Sequence, residues 1–114
     1  MKSTIAELAR RQLAAYNASD LEAFVDCYHP DVVVMRGDEE SLRGRDALRE
    51  QYRPMFEGMD FGGQVPDRLH VGPHCVDLEH WWRVDRATGE RTEGTVLVRY
   101  RERERLIGFV QFLS

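Results

Sequence analysis

The segment CVDLEHWWRVDRATGERTEGTVLVRYR, residues 75–101, decides the fold of this chain. Valine, tryptophan, threonine and tyrosine, which favour strands, occupy both of its ends, and turn-forming residues lie between them. The pattern predicts a strand over residues 75–85, a turn that closes at Gly89, and a second strand over residues 90–101. The two strands form a long β-hairpin.

The length of the turn decides which side chains of the hairpin share a face. A five-residue turn over residues 85–89 pairs His80 with Gly94, whereas a four-residue turn pairs His80 with Thr95. The first register keeps the apolar side chains together, and the second mixes them with polar ones. We prefer the first register for that reason. The even-numbered residues of strand 76–84 are then expected to face the core.

The first half of the chain predicts three helices. Ser3 or Thr4 can cap the first helix, and a second capping box at residues 19–22 begins the next one after a tight turn. Apolar residues recur at helical spacing in both segments. A third helix begins near Arg45 and is expected to kink or stop at Pro54, because proline removes a backbone donor.

The remaining segments predict further strands. Pro30 ends the second helix, and the β-branched run at residues 32–35 is typical of a buried strand. Residues 37–44 are rich in polar and turn-forming types and predict a loop. Two more strands are expected over residues 65–71 and 106–113. The order of elements predicts an α+β fold, with helices on one side of a curved antiparallel sheet.

Composition bounds the class of protein. The chain has 114 residues, a net charge of −4 and 32% charged residues, which suits one soluble domain over residues 1–114. The acidic balance and the interleaving of arginines with acids argue against nucleic-acid binding. No apolar run is long enough for a membrane helix or a signal peptide, so a cytoplasmic location is expected. Cys27 and Cys75 are expected to be reduced.

Two features carry candidate acid–base chemistry. His80 lies mid-strand, and the preferred register places it on the inward face opposite Gly94, where a missing side chain leaves room for a ligand. The structural alternative is a buried histidine bonded to a neighbour. Arg36 and Asp38 flank Gly37, where Arg36 suits a ligand carboxylate and Asp38 a proton transfer. Their alternative is a surface ion pair.

Several aromatic residues suit a pocket for a flat apolar ligand, or else fill the core: Tyr16, Tyr52, Phe56, Trp82, Tyr100 and Phe109. Gln111 alternates with Phe109 in the last strand, and a polar group on that face needs a partner. The histidines and acids give no compact metal-ligand set, and the chain has no nucleotide or cofactor motif. We therefore expect neither a metal nor a cofactor.

The other side of the sheet predicts a contact with a second copy of the chain. That face is expected to carry Trp81, Leu97, Arg99, Leu106, Val110 and Phe112. So much exposed apolar surface is unusual for a soluble monomer, so the pattern favours a homodimer. The alternative is cover by the chain's own N-terminus.

Three short motifs, NASDL at residues 17–21, YHPDV at 28–32 and GRDALRE at 44–50, support a resemblance. Together with the order of elements, they resemble the nuclear transport factor two-like superfamily, in its SnoaL-like and ketosteroid-isomerase-like branch. The resemblance covers nearly the whole chain. It implies a cone-shaped, cystatin-like α+β barrel, in which a bent sheet wraps three helices around a pocket. It also implies dimers that form through the outer sheet face.

The resemblance carries the isomerase residues over only in part. Its catalytic tyrosine falls at Gln12, its general-base aspartate at Arg36 and its oxyanion-binding aspartic acid at Val98. Tyr52 matches a tyrosine that supports the oxyanion hole, and a loop shift would bring Asp38 to the base position. Gln12 and Val98 are thus expected to face the ligand.

Two functions follow from these residues. The first is a cofactor-independent isomerase, cyclase or dehydratase that moves a proton on a small hydrophobic carbonyl compound, with His80, Asp38, Arg36 and Tyr52 as the working groups. The second is a ligand-binding or accessory domain that keeps the cone without the chemistry. The absence of the isomerase residues favours the second function, and an inward histidine favours the first.

Overall fold

A computed structural model describes residues 4–114, which contain three helices: α1 (Ile5–Asn17), α2 (Leu21–Val25) and α3 (Arg45–Gly58). Thr4 caps α1, since its hydroxyl accepts a hydrogen bond from the Glu7 amide at 3.1 Å. This confirms one of the two predicted caps, and the other, Ser3, lies outside the described residues. Asp20 caps α2. None of the helices in this part of the chain is long and apolar enough to cross a membrane.

Six strands form one curved, open sheet: β1 (Tyr28–Arg36), β2 (Glu39–Arg43), β3 (Met59–Val71), β4 (His74–Asp85), β5 (Arg91–Arg103) and β6 (Leu106–Leu113). Their order is β2-β1-β6-β5-β4-β3. Neighbouring strands are antiparallel except β1 and β6, which are parallel. The predicted α+β class, with helices packed inside a bent sheet, is confirmed.

Several predicted boundaries were wrong. The segment expected to be a loop contains β2, which returns along β1 after a turn in which Gly37 has a φ of 59°. The second helix ends at Val25, and β1 already begins at Tyr28. The strand expected over residues 65–71 begins at Met59. Helix α3 continues through Pro54 to Gly58, so of the two outcomes predicted for the proline, a kink or a stop, the stop is wrong.

The hairpin adopts the register that the apolar pattern disfavoured. A four-residue turn joins β4 to β5, closed by a hydrogen bond of 2.9 Å from the Asp85 amide to the Glu90 carbonyl. His80 therefore pairs with Thr95, and Gly94 pairs with Trp81. The odd-numbered residues of β4 face the helices, and the even-numbered ones face outward. Grouping by hydrophobicity failed because the inward face of β4 carries charged side chains.

The two faces of β6 are also reversed relative to the prediction. Val98 points inward on β5 and pairs with Phe112, so Phe112 and Val110 point inward as well. Phe109 and Gln111, which were expected in the pocket, point outward. Both faces of β6 are apolar, so only its pairing with β5 determines its orientation.

A buried ion pair fastens β3 to β4. Asp77 is 1% exposed, and both of its carboxylate oxygens accept hydrogen bonds from the Arg68 guanidinium, at 2.6 and 2.9 Å. The two residues are direct partners across the strands, next to the bulge between Gln64 and Asp67. A buried carboxylate without this partner is costly, so the pair holds the register on the far side of the bulge.

Arg68→Gln is expected to lower the free energy of unfolding by about 3 kcal/mol, because it leaves the buried Asp77 charge without its partner. Arg53→Gln is the matched control. Its partner Glu50 is exposed, so its loss should cost less than about 1 kcal/mol. Urea unfolding followed by circular dichroism measures both values. Equal losses would show that the Arg68–Asp77 pair does not stabilise the fold.

The outer sheet face has a different composition from the one predicted. Trp81, Val110 and Phe112 point inward and leave the expected interface, whereas Leu97 and Arg99 do point outward. The exposed large apolar side chains are Leu69, Val71, Leu97 and Leu113. Association of two copies through this face stays a prediction.

Sedimentation velocity tests that association. If two copies pair through the outer face, the wild-type chain should sediment at about twice its 13.3 kDa mass. Leu97→Glu places a charge in the exposed apolar surface and should give the monomer. Glu57→Lys, on the exposed side of α3, should leave the dimer intact. A wild-type monomer at all concentrations would contradict the prediction.

Candidate active site

A cavity of about 380 Å³ opens between the helices and the inner face of the sheet. This volume lies at the small end of ligand pockets, which span roughly 300–1,000 Å³. Its walls combine apolar aromatic rings with three charged side chains and four phenols. The lining residues are Gln12, Leu13, Tyr16, Phe24, Tyr28, Arg36, Tyr52, Glu79, Trp81, Arg83, Thr95, Val96, Tyr100, Phe112 and Ser114.

Glu79 enters the cavity from the middle of β4. It pairs with Val96 on β5, and its carboxyl group reaches over Gly63 on β3. A Cβ atom at Gly63 would lie 2.5 Å from the Glu79 Oε2 atom, so only glycine leaves room for the carboxyl group in this position. Asn17 at the end of α1 holds Gly63 by two hydrogen bonds, at 2.8 and 3.0 Å.

The pKa of Glu79 is raised to about 7. Burial is the main cause, because it disfavours the charged carboxylate. The nearby Asp77 carboxylate raises the pKa further, and the Arg83 guanidinium opposes both effects. A carboxyl group with this pKa can both accept and return a proton near neutral pH, as general acid–base catalysis requires.

Two phenols, Tyr16 and Tyr52, face the open space of the cavity. Within residues 4–114, the Tyr52 hydroxyl group makes no hydrogen bond to another protein group, and the Tyr16 hydroxyl group lies beside the Arg83 guanidinium. Burial raises the pKa of Tyr52 to about 12, and burial also raises the pKa of Tyr16. Both side chains therefore remain protonated at neutral pH and can donate a hydrogen bond to an oxygen of a ligand.

A hydrogen-bonded network fills the floor of the cavity. The Gln12 side-chain amide donates to the Tyr100 hydroxyl oxygen at 3.0 Å and to the Ala9 carbonyl at 3.1 Å. The Tyr28 hydroxyl donates to the Gln12 Oε1 atom at 3.2 Å. These contacts use both amide protons of Gln12, whereas the Tyr100 hydroxyl proton remains available.

Five of the predicted site residues do line this cavity. Gln12, Tyr16 and Tyr100 form its floor and side, Tyr52 projects from α3, and Arg36 lies at the exposed rim. Phe56 and Val98 are buried in the core without lining the cavity. Asp38 is exposed in the turn between β1 and β2 and does not line it either.

His80 lies outside the cavity, on the outer face of the sheet. Its ring is exposed, and Nδ1 lies 2.9 Å from the Thr95 hydroxyl oxygen. The space over Gly94 is filled on the inner face by Trp81, whose ring would lie 2.8 Å from a Cβ atom there. The geometric reason for assigning acid–base chemistry to His80 was therefore wrong.

The other three misplaced residues also have partners on the outer face. Trp82 packs under the Arg91 guanidinium, 5.2 Å from the ring centroid, and Phe109 lies under Arg99 at 5.1 Å. Gln111 accepts a hydrogen bond from Arg99 at 3.1 Å. These contacts satisfy the side chains without a ligand.

The sequence reasoning missed Glu79, Trp81 and Arg83. The signal was present, since charged residues at positions 77, 79 and 83 share one face of a single strand. The sequence pattern placed that face on the outer, dimer-forming side of the sheet instead. Among the described residues, no three histidine, cysteine or acidic side chains are placed to hold a metal ion.

Comparison with known proteins shows which domain family the chain matches. Residues 9–107 match the family model of the SnoaL-like domain. An uncharacterised cystatin-fold protein from Novosphingobium aromaticivorans superposes with a TM-score of 0.87 at 20% identity, covering 98% of this chain and 99% of the other. No curated protein matches in sequence.

Two further solved structures carry descriptions of activity. A proposed SnoaL-like polyketide cyclase from Mesorhizobium loti has a TM-score of 0.74 at 22% identity, with 98% and 100% of the chains covered. An epoxide hydrolase of the LEH-like type from M. tuberculosis has a TM-score of 0.81 at 13% identity, with 92% and 77% covered. At these identities the likeness concerns the fold alone.

The raised pKa of Glu79 should make stability depend on pH. Between the ordinary carboxyl pKa of 4.5 and about 7, the folded protein binds more protons than the unfolded chain, so stability falls as pH rises. Glu79→Gln removes this loss. The variant should gain stability relative to wild type between pH 5 and pH 8, by up to about 3 kcal/mol.

Urea unfolding at both pH values measures this gain. Glu93→Gln is the control, because Glu93 is exposed on β5 opposite the outward-facing Trp82. Its stability should show no such change between the two pH values. A Glu79→Gln variant with the same pH dependence as wild type would show that the carboxyl group titrates normally.

Proposed function

Because the chain belongs to the SnoaL-like domain family and encloses a cavity with an acidic group and two phenols, we propose that it is an enzyme that moves a proton on a small carbonyl compound. Glu79 is the general base and acid, and Tyr52 and Tyr16 are the hydrogen-bond donors. The reaction class is isomerisation, cyclisation or dehydration, each of which can begin with the loss of a proton beside a carbonyl group.

One observation carries this proposal: a carboxyl group with a pKa of about 7 lies in the same cavity as two phenols, and one of them, Tyr52, has no protein hydrogen-bond partner within residues 4–114. The Glu79 carboxylate takes the proton from the carbon next to the carbonyl. The electron pair of that C–H bond moves to the carbonyl oxygen, and the Tyr52 or Tyr16 hydroxyl group donates a hydrogen bond to the resulting enolate. Glu79 then returns the proton to the enolate at the same or another carbon.

The walls of the cavity suit this step. Phe24, Trp81 and Phe112 exclude water from a substrate in contact with Glu79, and a less polar site strengthens the hydrogen bonds to the enolate. The Gln12 network fixes the floor beneath the substrate. The proton transfer therefore takes place in a rigid setting, apart from the exposed rim at Arg36.

The second candidate is a binding domain without catalysis. The residues at Gln12 and Val98, where the resemblance would place a catalytic tyrosine and an oxyanion-binding acid, support it. In that case Glu79 would bind the ligand without exchanging its protons. The two candidates differ in one measurable property, which is the exchange rate of protons beside the ligand's carbonyl group.

Proton exchange of small ketones in D₂O, followed by ¹H NMR, tests the proposal. With 1-indanone, 2-tetralone and cyclohexanone as probes, the wild-type protein should accelerate the loss of the proton signal next to the carbonyl. Glu79→Gln should reduce the acceleration by about 10²-fold or more, because it removes the proton acceptor. Tyr52→Phe should reduce it by about tenfold, because one donor to the enolate is lost.

His80→Ala is the matched control, because His80 lies on the opposite face of the same strand. It should exchange as fast as wild type. If the wild-type protein gives no acceleration above Glu79→Gln with any of the three ketones, the non-catalytic binding domain is the correct interpretation.

A further inference from the structure

Two cationic side chains of the cavity have no acidic partner. Arg83 projects inward from β4, four residues after Glu79, and its Nε atom is buried without a hydrogen-bond partner in residues 4–114. Arg36 lies at the rim, and neither guanidinium is within 4.0 Å of a carboxylate of the described chain. Elsewhere in the fold, buried charge is paired, as at Arg68 and Asp77.

Aromatic rings hold both guanidinium groups in place. The Arg83 guanidinium carbon lies 5.0 Å from the centroid of the Trp81 ring, and that of Arg36 lies 4.9 Å from the Phe112 ring. Stacking of this kind leaves the N–H groups at the edge of the guanidinium free and fixes their direction. The two arginines are therefore oriented as donors before a ligand arrives.

The charge of the cavity is unbalanced. Among the side chains that line the cavity, two guanidinium groups are opposed by one carboxyl group, that of Glu79, which is protonated for part of the time near neutral pH. The Tyr52 hydroxyl lies in the field of all three groups, which places them around one space. A partly buried cation gains free energy from an anion that enters this space, because water solvates the cation poorly there.

We infer that the ligand of this cavity carries a carboxylate, which Arg83 binds from inside and Arg36 from the rim. The planar guanidinium edge matches the two oxygens of a carboxylate. A monoanion also suits the site better than a dianion, because Glu79 would repel the second charge. With the aromatic walls and the small volume, the substrate class is a compact aromatic or alicyclic keto or hydroxy acid.

This inference rests on the proposed function only in sharing its cavity. It adds the group by which the substrate is recognised, whereas the proposed function concerns the group that reacts. Arg83 and Arg36 are specificity-determining residues, and neither is required to exchange a proton. The two statements can therefore fail separately.

Binding of matched acids and amides tests the inference directly. The pairs are benzoate and benzamide, trans-cinnamate and cinnamamide, and 2-naphthoate and 2-naphthamide, with Kd measured by isothermal titration calorimetry at pH 7. In each pair the shape is the same and only the charge differs. At least one acid should bind about tenfold or more tightly than its amide, since hydrogen bonds between charged groups are the stronger kind.

Three arginine variants locate the effect. Arg83→Gln should remove the preference for the acid, and Arg36→Gln should reduce it by a smaller factor, because Arg36 lies at the exposed rim. Because Arg36 is exposed, Arg36→Gln should fold normally, and it therefore tests the role of the arginines even if Arg83→Gln does not fold. Arg99→Gln is the matched control, since Arg99 contacts Phe109 and Gln111 on the outer face, and it should keep the full preference.

Three results would overturn the inference. The first is that no acid binds at about 10 mM, which corresponds to a binding free energy weaker than about 3 kcal/mol. The second is that acids and amides bind equally, and the third is that Arg83→Gln and Arg36→Gln both keep the wild-type preference. Glu79→Gln separates this inference from the proposed function. It removes the proposed base and keeps both arginines, so it should still prefer the acid even where proton exchange is lost. Exchange that depends on Glu79, without any preference for acids, would leave the proposed function standing and refute the carboxylate.

Discussion

The turn between β4 and β5 is the constraint on which the inner face of the sheet depends. Side chains of a strand alternate between the two faces with a period of two, so one residue more or less in the turn exchanges the faces completely. With four residues in the turn, Glu79, Trp81 and Arg83 enter the cavity together. With five, the same strand would present His80 and Trp82 to the helices. The register that matches the two inner faces of β4 and β5 is thus closed by a backbone hydrogen bond at Asp85, about 20 Å along the strand from Glu79 by the rise per residue.

Burial of three ionisable residues on one strand face demands that each charge be compensated, and the structure does this in three ways. Asp77 is paired with Arg68, which donates two hydrogen bonds to its carboxylate. Glu79 has no such partner, and its pKa rises until the neutral form is populated near pH 7. Arg83 cannot lose its proton and is placed against the Trp81 ring. The three residues therefore differ in how completely their charge is compensated. The fully paired Asp77 fastens the sheet, and the incompletely compensated Glu79 and Arg83 face the open space.

Local signals in the sequence predicted much of the fold, because they are decided within a few residues. The Thr4 cap, the helices and the long hairpin follow from capping, periodicity and turn composition. Tyr16 could be placed in the cavity from the apolar face of its helix, and the resemblance placed Gln12 and Tyr52 there. The strands could not be oriented in this way. Both faces of β6 are apolar, and on β4 the polar face is the inner one, so hydrophobic grouping pointed to the wrong register.

The failure of the hydrophobic pattern on β4 is itself informative about function. A protein that used this sheet only as a scaffold would gain stability from apolar side chains at positions 79 and 83, since an unpaired buried charge is costly. Gly63 on the neighbouring strand is a similar case. It contributes no side-chain packing, and the space that a side chain would fill holds the Glu79 carboxyl group. Three positions on two strands thus depart from what stability alone would favour, and all three adjoin one cavity. Local departures of this kind are expected where a fold carries a functional site, which favours the cavity around Glu79 and Arg83 over the exposed His80 as the proposed site.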